Sequence, residues 1–453
     1  MIDKLKIIFL TLTLIMICMA SEDDVVIYYG NWLYLIHLLG FTLIFYNKEK
    51  NYLFYLSPTY LTLAYLNLSY FMGQYVIARG IGYQPKYHNI FFNYESVKFV
   101  TIFFLLCNLM VFLALDIKKF KRIEYNFTKQ SKINYKFIAV LLALLLLFTF
   151  IEVDLTFIGG GNDHSYAFQL TTCIFIVNIL SNTRSKIKYP IYLLMILISI
   201  IGNFEDKRQI FFILILIIFF EFIRKKYEIN FSFKKILFSL ALILLFTYII
   251  LVSSLLRGYG QYNVDNPVDA TFFIGKYLNS NNIKNTLTAN FELSSAYGNT
   301  SNAVDYVYKG EVDYLYGYTF IKFLFIPIPR QVFPGKPRSM IDIYTTKFAP
   351  HFRDRGGSLP VGLYGESIWN FSLLSLIFIY LLYSYLNKLY RYAVLSVTKS
   401  IFKNIEVFII YLYITLIMFI RGSGFEIWLV YPLISIPLII SLNYYNRKFN
   451  KSQ

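Results

Sequence analysis

The sequence predicts an all-α, polytopic integral membrane protein of about twelve transmembrane helices with one long external loop, and three observations predict it. Of the 453 residues, 57% are hydrophobic, 20% aromatic and only 15% charged, which is not the composition of a soluble globular chain. The apolar residues fall into runs near the twenty that a bilayer requires. The Lys and Arg residues behind the formal net charge of +17 sit in short clusters between those runs, where the positive-inside rule puts them, so the charge requires no nucleic-acid partner and none is expected.

In chain order the candidate spans lie near residues 5–20, 25–46, 52–72, 98–115, 136–151, 166–182, 188–202, 209–223, 236–256, 366–386, 404–420 and 427–444. Placing both termini in the cytoplasm puts KKFKR (118–122), RSKIK (184–188), RKK (224–226) and KK (234–235) inside, with SEDD (21–24) and EVDLTFIGGGNDH (152–164) outside. Of the Lys and Arg residues 26 are then cytoplasmic and 17 external or at the outer boundary, 11 of them in the long loop and its edges. Two segments have a second reading. The first run also reads as a secretory signal peptide, with a basic start and small Ala20 before Ser21; it is kept here as a retained helix, since a polytopic chain needs no removable signal. Residues 314–329, YLYGYTFIKFLFIPIP, read either as a thirteenth span or as a re-entrant or interfacial segment. Sixteen residues at about 1.5 Å each reach roughly 24 Å against a core of about 30 Å, and Lys322 would sit mid-membrane, which favours the re-entrant reading.

The organisation expected is therefore helices one to nine over 1–257, the external loop over 258–365, and helices ten to twelve with a cytoplasmic tail over 366–453. A loop this long usually has a function. Its halves differ in sign: 258–321 holds three Lys and six Asp or Glu, whereas 322–355 holds seven Lys or Arg against Asp342 and Asp354. The basic half includes IPIPRQVFPGKPRS (326–339), where Pro327, Pro329, Pro334 and Pro337 exclude helix and sheet and hold Arg330, Lys336 and Arg338 on an extended, backbone-exposed segment. FRDRGGSLPVGLYGES (352–367) follows, with Arg353, Asp354 and Arg355 ahead of four glycines in ten residues. Glycine lets backbone N–H groups approach a phosphate and arginine supplies a charged bidentate fork; a solvated loop of headgroup-binding arginines is the plainer alternative. Glu366, at the mouth of a following apolar helix, is expensive to place there without a role, although the helix dipole alone also favours it. NFEDKRQ (203–209) with Lys207 and Arg208, RGSGFE (421–426) with Arg421 and Glu426, and Arg257 in LLRGYGQY converge on the same membrane face, each alone being more often a snorkelling anchor than a ligand.

No Walker A loop, HExxH, CxxC, dinucleotide fingerprint or DxD-type sugar-nucleotide site occurs, and neither His351 nor His164 has metal-ligand spacing, so neither a metal nor another cofactor is expected. Cys18, Cys107 and Cys173 lie in apolar runs and read as packing residues.

The layout, together with IPRQVFPGKPRS followed by GLYGESIWNFS, resembles the Wzy-type polymerases that join O-antigen or capsule repeat units in bacteria. That resemblance implies a glycosyltransferase of the cytoplasmic (inner) membrane, with its site facing the periplasm or exterior. Its donor and acceptor would be polyprenyl-pyrophosphate-linked oligosaccharides, its surroundings membrane lipids, and a chain-length regulator an expected partner. In such a reaction arginine and lysine must carry the charge of the pyrophosphate leaving group, which assigns Arg208, Arg257, Arg330, Lys336, Arg338, Arg353, Arg355 and Arg421 to substrate binding. A carboxylate or histidine would deprotonate the acceptor hydroxyl, with Glu366 first and His351 and Asp354 behind it. An O-antigen ligase or another lipid-donor glycosyltransferase shares the layout and donor. A flippase or exporter of the same lipids would distribute charges through many spans, whereas here they crowd one external loop.

Overall fold

The computed structural model describes residues 2–46, 52–79, 96–116, 134–151, 165–183, 185–202, 208–225, 244, 248, 251–252, 267–277, 293–325, 328, 332–354, 356–399 and 402–451. Every regular element among them is helical. In order these are α1 Ile2–Ala20, α2 Asp23–Tyr29, α3 Asn31–Tyr46, α4 Tyr52–Tyr55, α5 Pro58–Ala78, α6 Val97–Leu113, α7 Tyr135–Phe150, α8 Ser165–Ser181, α9 Lys188–Gly202, α10 Arg208–Lys225 and α11 Pro267–Tyr277. The C-terminal part continues with α12 Leu293–Tyr308, α13 Tyr318–Ile321, α14 Met340–Phe348, α15 Pro350–Asp354, α16 Leu363–Phe371, α17 Ser375–Val397, α18 Asn404–Ile414, α19 Leu416–Arg421, α20 Phe425–Ile434 and α21 Ile436–Lys451.

Among the described residues three stretches are long and apolar enough to cross a membrane, Leu363–Val397, Asn404–Arg421 and Phe425–Lys448, and a fourth is if α2 and α3 count as one bent span. Val97–Leu113, Tyr135–Phe150, Ser165–Ser181 and Lys188–Ser199 are shorter apolar helices. The run expected at 236–256 lies almost wholly outside the described residues.

Local chemistry sets the ends and breaks. Ser57 starts α5 by accepting a hydrogen bond from the Tyr60 N–H, with Pro58 in the first turn, where its missing N–H costs nothing. Asn134 does the same for α7 through the Phe137 N–H. The run expected at 25–46 is bent by 59° at Gly30, and Gln74 of α5 donates to the Val26 and Ile27 carbonyls on the near side of that break, at 2.7 and 3.2 Å. The run expected at 366–386 begins earlier, at Leu363, and is interrupted by a 3₁₀ turn at Ser372–Leu374, where Ser372 has φ +52°. The last run breaks at Ser435, between Pro432 and Pro437.

The core forms around α5, which packs against α3, α6, α12 and α17. Its least expected member is α12, LSSAYGNTSNAVDYVY, which belongs to the external loop in sequence yet lies buried between α5 and α16. Small side chains at Ala296, Gly298, Thr300 and Ala303 allow close approach, as in membrane helix pairs. Tyr297 anchors it among Tyr34, Tyr70 and Phe104, the last two stacked at 4.3 Å. Edge-to-face and offset aromatic pairs of this kind contribute about 0.5–1.5 kcal/mol each beyond area burial.

Candidate functional site

Two units of the C-terminal half bear charge, one at the surface and one buried, and both are built on α16. The surface unit is α14 and α15 with the turn before them. Ser339 caps α14 by accepting from the Asp342 N–H, which fixes Asp342 in the first helical turn. Asp342 then meets two arginines from either side in sequence: Arg353 Nη2 is 2.7 Å from Oδ1, and Arg338 Nε is 3.9 Å from Oδ2. Both arginine side chains stay partly open to solvent, at 57% for Arg338 and 39% for Arg353. Lys336 is buried, and its ammonium reaches the Ile328 carbonyl at 3.2 Å. His351 and Asp354 are exposed on α15.

Tyr344 and Phe348 of α14 pack against Trp369 of α16, with ring centroids 6.3 and 6.1 Å away. Asn302 of α12 donates to the Tyr344 hydroxyl at 3.1 Å, and the Leu359 N–H donates to Thr345 at 2.9 Å. The basic surface unit is thereby fixed to the helix that carries Glu366.

The first turns of α16 are held as firmly. The Gly362 N–H donates to Thr300 of α12 at 3.0 Å. Tyr364 donates to Asn108 of α6 at 2.8 Å, Asn108 donates to Asn67 of α5 at 2.9 Å, and the ring nitrogens of His37 lie 3.5 Å from Asn108 Nδ2 and 2.9 Å from Thr11 Oγ1. The turn after α19 presses on the same place: a Cβ on Gly422, at φ +106°, would stand 2.2 Å from the Val361 carbonyl oxygen.

Glu366 itself is fully enclosed. Thr319 of α13 donates to its Oε1 at 2.7 Å, and Asn370 donates both to Thr319 Oγ1, at 2.9 Å, and to the Glu366 carbonyl, at 2.8 Å. Within electrostatic range lie Glu426, at the start of α20, and Lys322, in the 3₁₀ turn Lys322–Phe325 that follows α13. Lys322 Nζ donates to Glu426 Oε1 at 2.9 Å, with 17% of the lysine side chain exposed and 3% of the glutamate. Aromatic rings surround the group: Phe320 lies against Phe371, Phe378 and Phe425, and Phe323 against Phe425. The Oε2 atoms of Glu366 and Glu426 are both buried without a hydrogen-bond partner.

Of the residues singled out in the sequence, Arg338 and Arg353 meet at Asp342, and Glu366 lies one helical turn from Trp369 on α16. Arg421 ends α19 beside the Gly422 turn. Arg208 begins α10. Arg257, Arg330 and Arg355 lie outside the described residues. Sequence reasoning noted Lys322 and Glu426 without placing them in the site, and gave no role to Thr319, Asn370 or Asp342. The sequence signal available for the ion pair was a lysine unaffordably deep in an apolar run, which implies a buried acid somewhere. Among the described residues no group of three or more His, Cys, Asp or Glu could hold a metal ion. No protein-family model, no curated protein and no solved structure matches this chain.

Proposed function

We propose that this protein is a multi-pass glycosyltransferase of the bacterial cytoplasmic membrane, crossing it about twelve times, that polymerises lipid-pyrophosphate-linked oligosaccharide repeat units into a surface polysaccharide on the outer face. The observation that carries the reading is the meeting of Arg338 and Arg353 on one carboxylate: two cations, fifteen positions apart, held where a single anion engages both. A diphosphate offers such a pair the same contact with more oxygens and more charge. In the reaction the acceptor hydroxyl oxygen attacks the anomeric carbon of the donor. The bond from that carbon to the phosphate oxygen breaks, its electron pair leaves with the diphosphate, and the arginines stabilise the charge that develops. The hydroxyl proton passes to Glu366, which the acceptor reaches once the 3₁₀ turn carrying Lys322 has moved aside. Lys336 holds the proline-rich turn from below. His351 and Asp354, both exposed, line the approach to the arginines.

Replacement by lysine keeps the charge and removes the fork, so R338K and R353K separate a phosphate contact from a headgroup anchor. At equal membrane abundance, R353K is expected to lower polymerisation by on the order of 10²-fold, read from chain-length ladders of the surface glycan. Deletion of the gene is expected to leave glycan capped by single repeat units; loss of the single unit as well would point to a flippase. Wild-type-length polymer from R338K, R353K and E366Q alike would refute the site. Reporter fusions after residues 340 and 395 are expected to report the exterior and the cytoplasm respectively, and a cytoplasmic 340 would refute both topology and site.

A further inference from the structure

The buried half of the site has a charge imbalance that the glycosyl transfer described above does not use. Among the described residues, the carboxyl groups of Glu366 and Glu426 lie within electrostatic reach of each other and of the Lys322 ammonium, amid the rings of Phe320, Phe371 and Phe425. Each acid has one oxygen satisfied, Glu366 by Thr319 and Glu426 by Lys322, and each has one buried oxygen with no partner. A buried carboxylate oxygen left without a donor costs several kcal/mol of desolvation, and like charges sharing a dry site do not both ionise. One ammonium neutralises one carboxylate. The second acid must find another positive charge.

We infer that Glu366 and Glu426 hold one exchangeable proton between them, with Lys322 as the fixed counter-charge, so that Glu426 is a positioning residue for Glu366. A shared proton turns one acid into a donor and removes one net charge, which answers both irregularities at once. Gly424 is part of the device. Its φ of +92° turns the chain so that its Cα lies against Glu426, where an added Cβ would stand 2.7 Å from Oε2, and this holds the second acid in place. Among the described residues, Thr319 and Lys322 of the α13 segment, Asn370 of α16 and the backbone of Gly424 face the pair, and the one further charged group of the adjoining turn is Arg421 at the end of α19. The proton site does not depend on the proposed reaction. Its place in catalysis, in which Glu426 holds the proton while Glu366 takes the one from the acceptor, rests on that reaction.

Infrared difference spectroscopy on the full-length protein in lipid nanodiscs reads the inference without any glycan substrate. Charge balance fixes the outcome as whole groups. Wild type at neutral pH is expected to show one carboxylic-acid C=O band that shifts on exchange into heavy water. E366Q and E426Q are each expected to lose it, because the remaining carboxylate pairs with Lys322. K322M, with no counter-charge left, is expected to show about twice the wild-type band, since buried acids neutralise when unpaired. A band that survives both glutamine variants, or one that does not grow in K322M, overturns the inference. Wild type supplies an arm that needs no variant: absence of the band, or its collapse when sodium replaces potassium, overturns it by leaving the site without a proton or giving it to a metal cation. Wild-type-length polymer from R338K and R353K bears only on the polymerase reading, so the two fail separately.

Discussion

Among the described residues two lysine–glutamate pairs are buried or nearly so, and they are finished to different degrees. Between α9 and α10, Lys188 donates to both oxygens of Glu221, at 2.7 and 2.9 Å, and Tyr192 adds a third hydrogen bond at 3.0 Å. Beside it Arg224 donates to the Asn178, Val397 and Lys399 carbonyls and to the Ser181 and Asn178 side chains, tying the ends of α8 and α17 together. The Lys322–Glu426 pair gives its glutamate one hydrogen bond and stands beside a second, half-satisfied acid. Saturation on one side and vacancy on the other separate a fastening from a working site: a fully bonded ion pair has nothing left to offer a proton or a ligand.

That contrast can be broken by exchanging the two sites' vulnerabilities. The largest effect expected is at Glu366: E366Q keeps shape and loses the base, and should lower the polymerisation rate by about 10²–10⁴-fold while the melting temperature of the purified protein hardly moves. E221Q, in contrast, should leave the rate per folded molecule unchanged. Next comes K188M, which strands Glu221 in a filled site and should destabilise the fold by about 3–5 kcal/mol in denaturant titrations of the detergent-solubilised protein. K322M should cost clearly less, because Glu426 can take up a proton; an equal cost would erase the distinction. The smallest is G424A. Forcing a Cβ into a left-handed position against Glu426 should cost about 1–3 kcal/mol and alter the carboxylic-acid band, whereas G310A, at φ +70° with open space around it, should show the backbone strain and no spectral change.

The helices of the apolar half are legible because each is a single uninterrupted run. Val97–Leu113, Ser165–Ser181 and Tyr135–Phe150 fall within two residues of the runs read at 98–115, 166–182 and 136–151. Breaks are less legible. Hydropathy does not fall at Ser435, and at Gly30 what allows the bend is a donor from elsewhere, Gln74. α12 was illegible for the opposite reason. It is buried nearly all round, and Asn299, Thr300 and Asn302 at its middle read as loop until neighbours satisfy them. In the site, the arginines and Glu366 announced themselves by type and clustering. Their partners did not: Lys322 and Glu426 are 104 positions apart, and Thr319 and Glu366 are 47 apart, pairings that only the tertiary fold creates.

The position of α12 bears on how the molecule is made. A segment this polar does not partition into lipid from the translocation channel as a spanning helix does, since its Asn and Asp side chains carry an insertion penalty that no apolar neighbours within it offset. Its two walls are synthesised far apart in time: α5 lies far before α12 in the chain, and α16 follows it. Burial of α12 is therefore a closing step of biogenesis. Until α16 arrives, the groove along α5 stands open and the nascent chain lacks its central wedge.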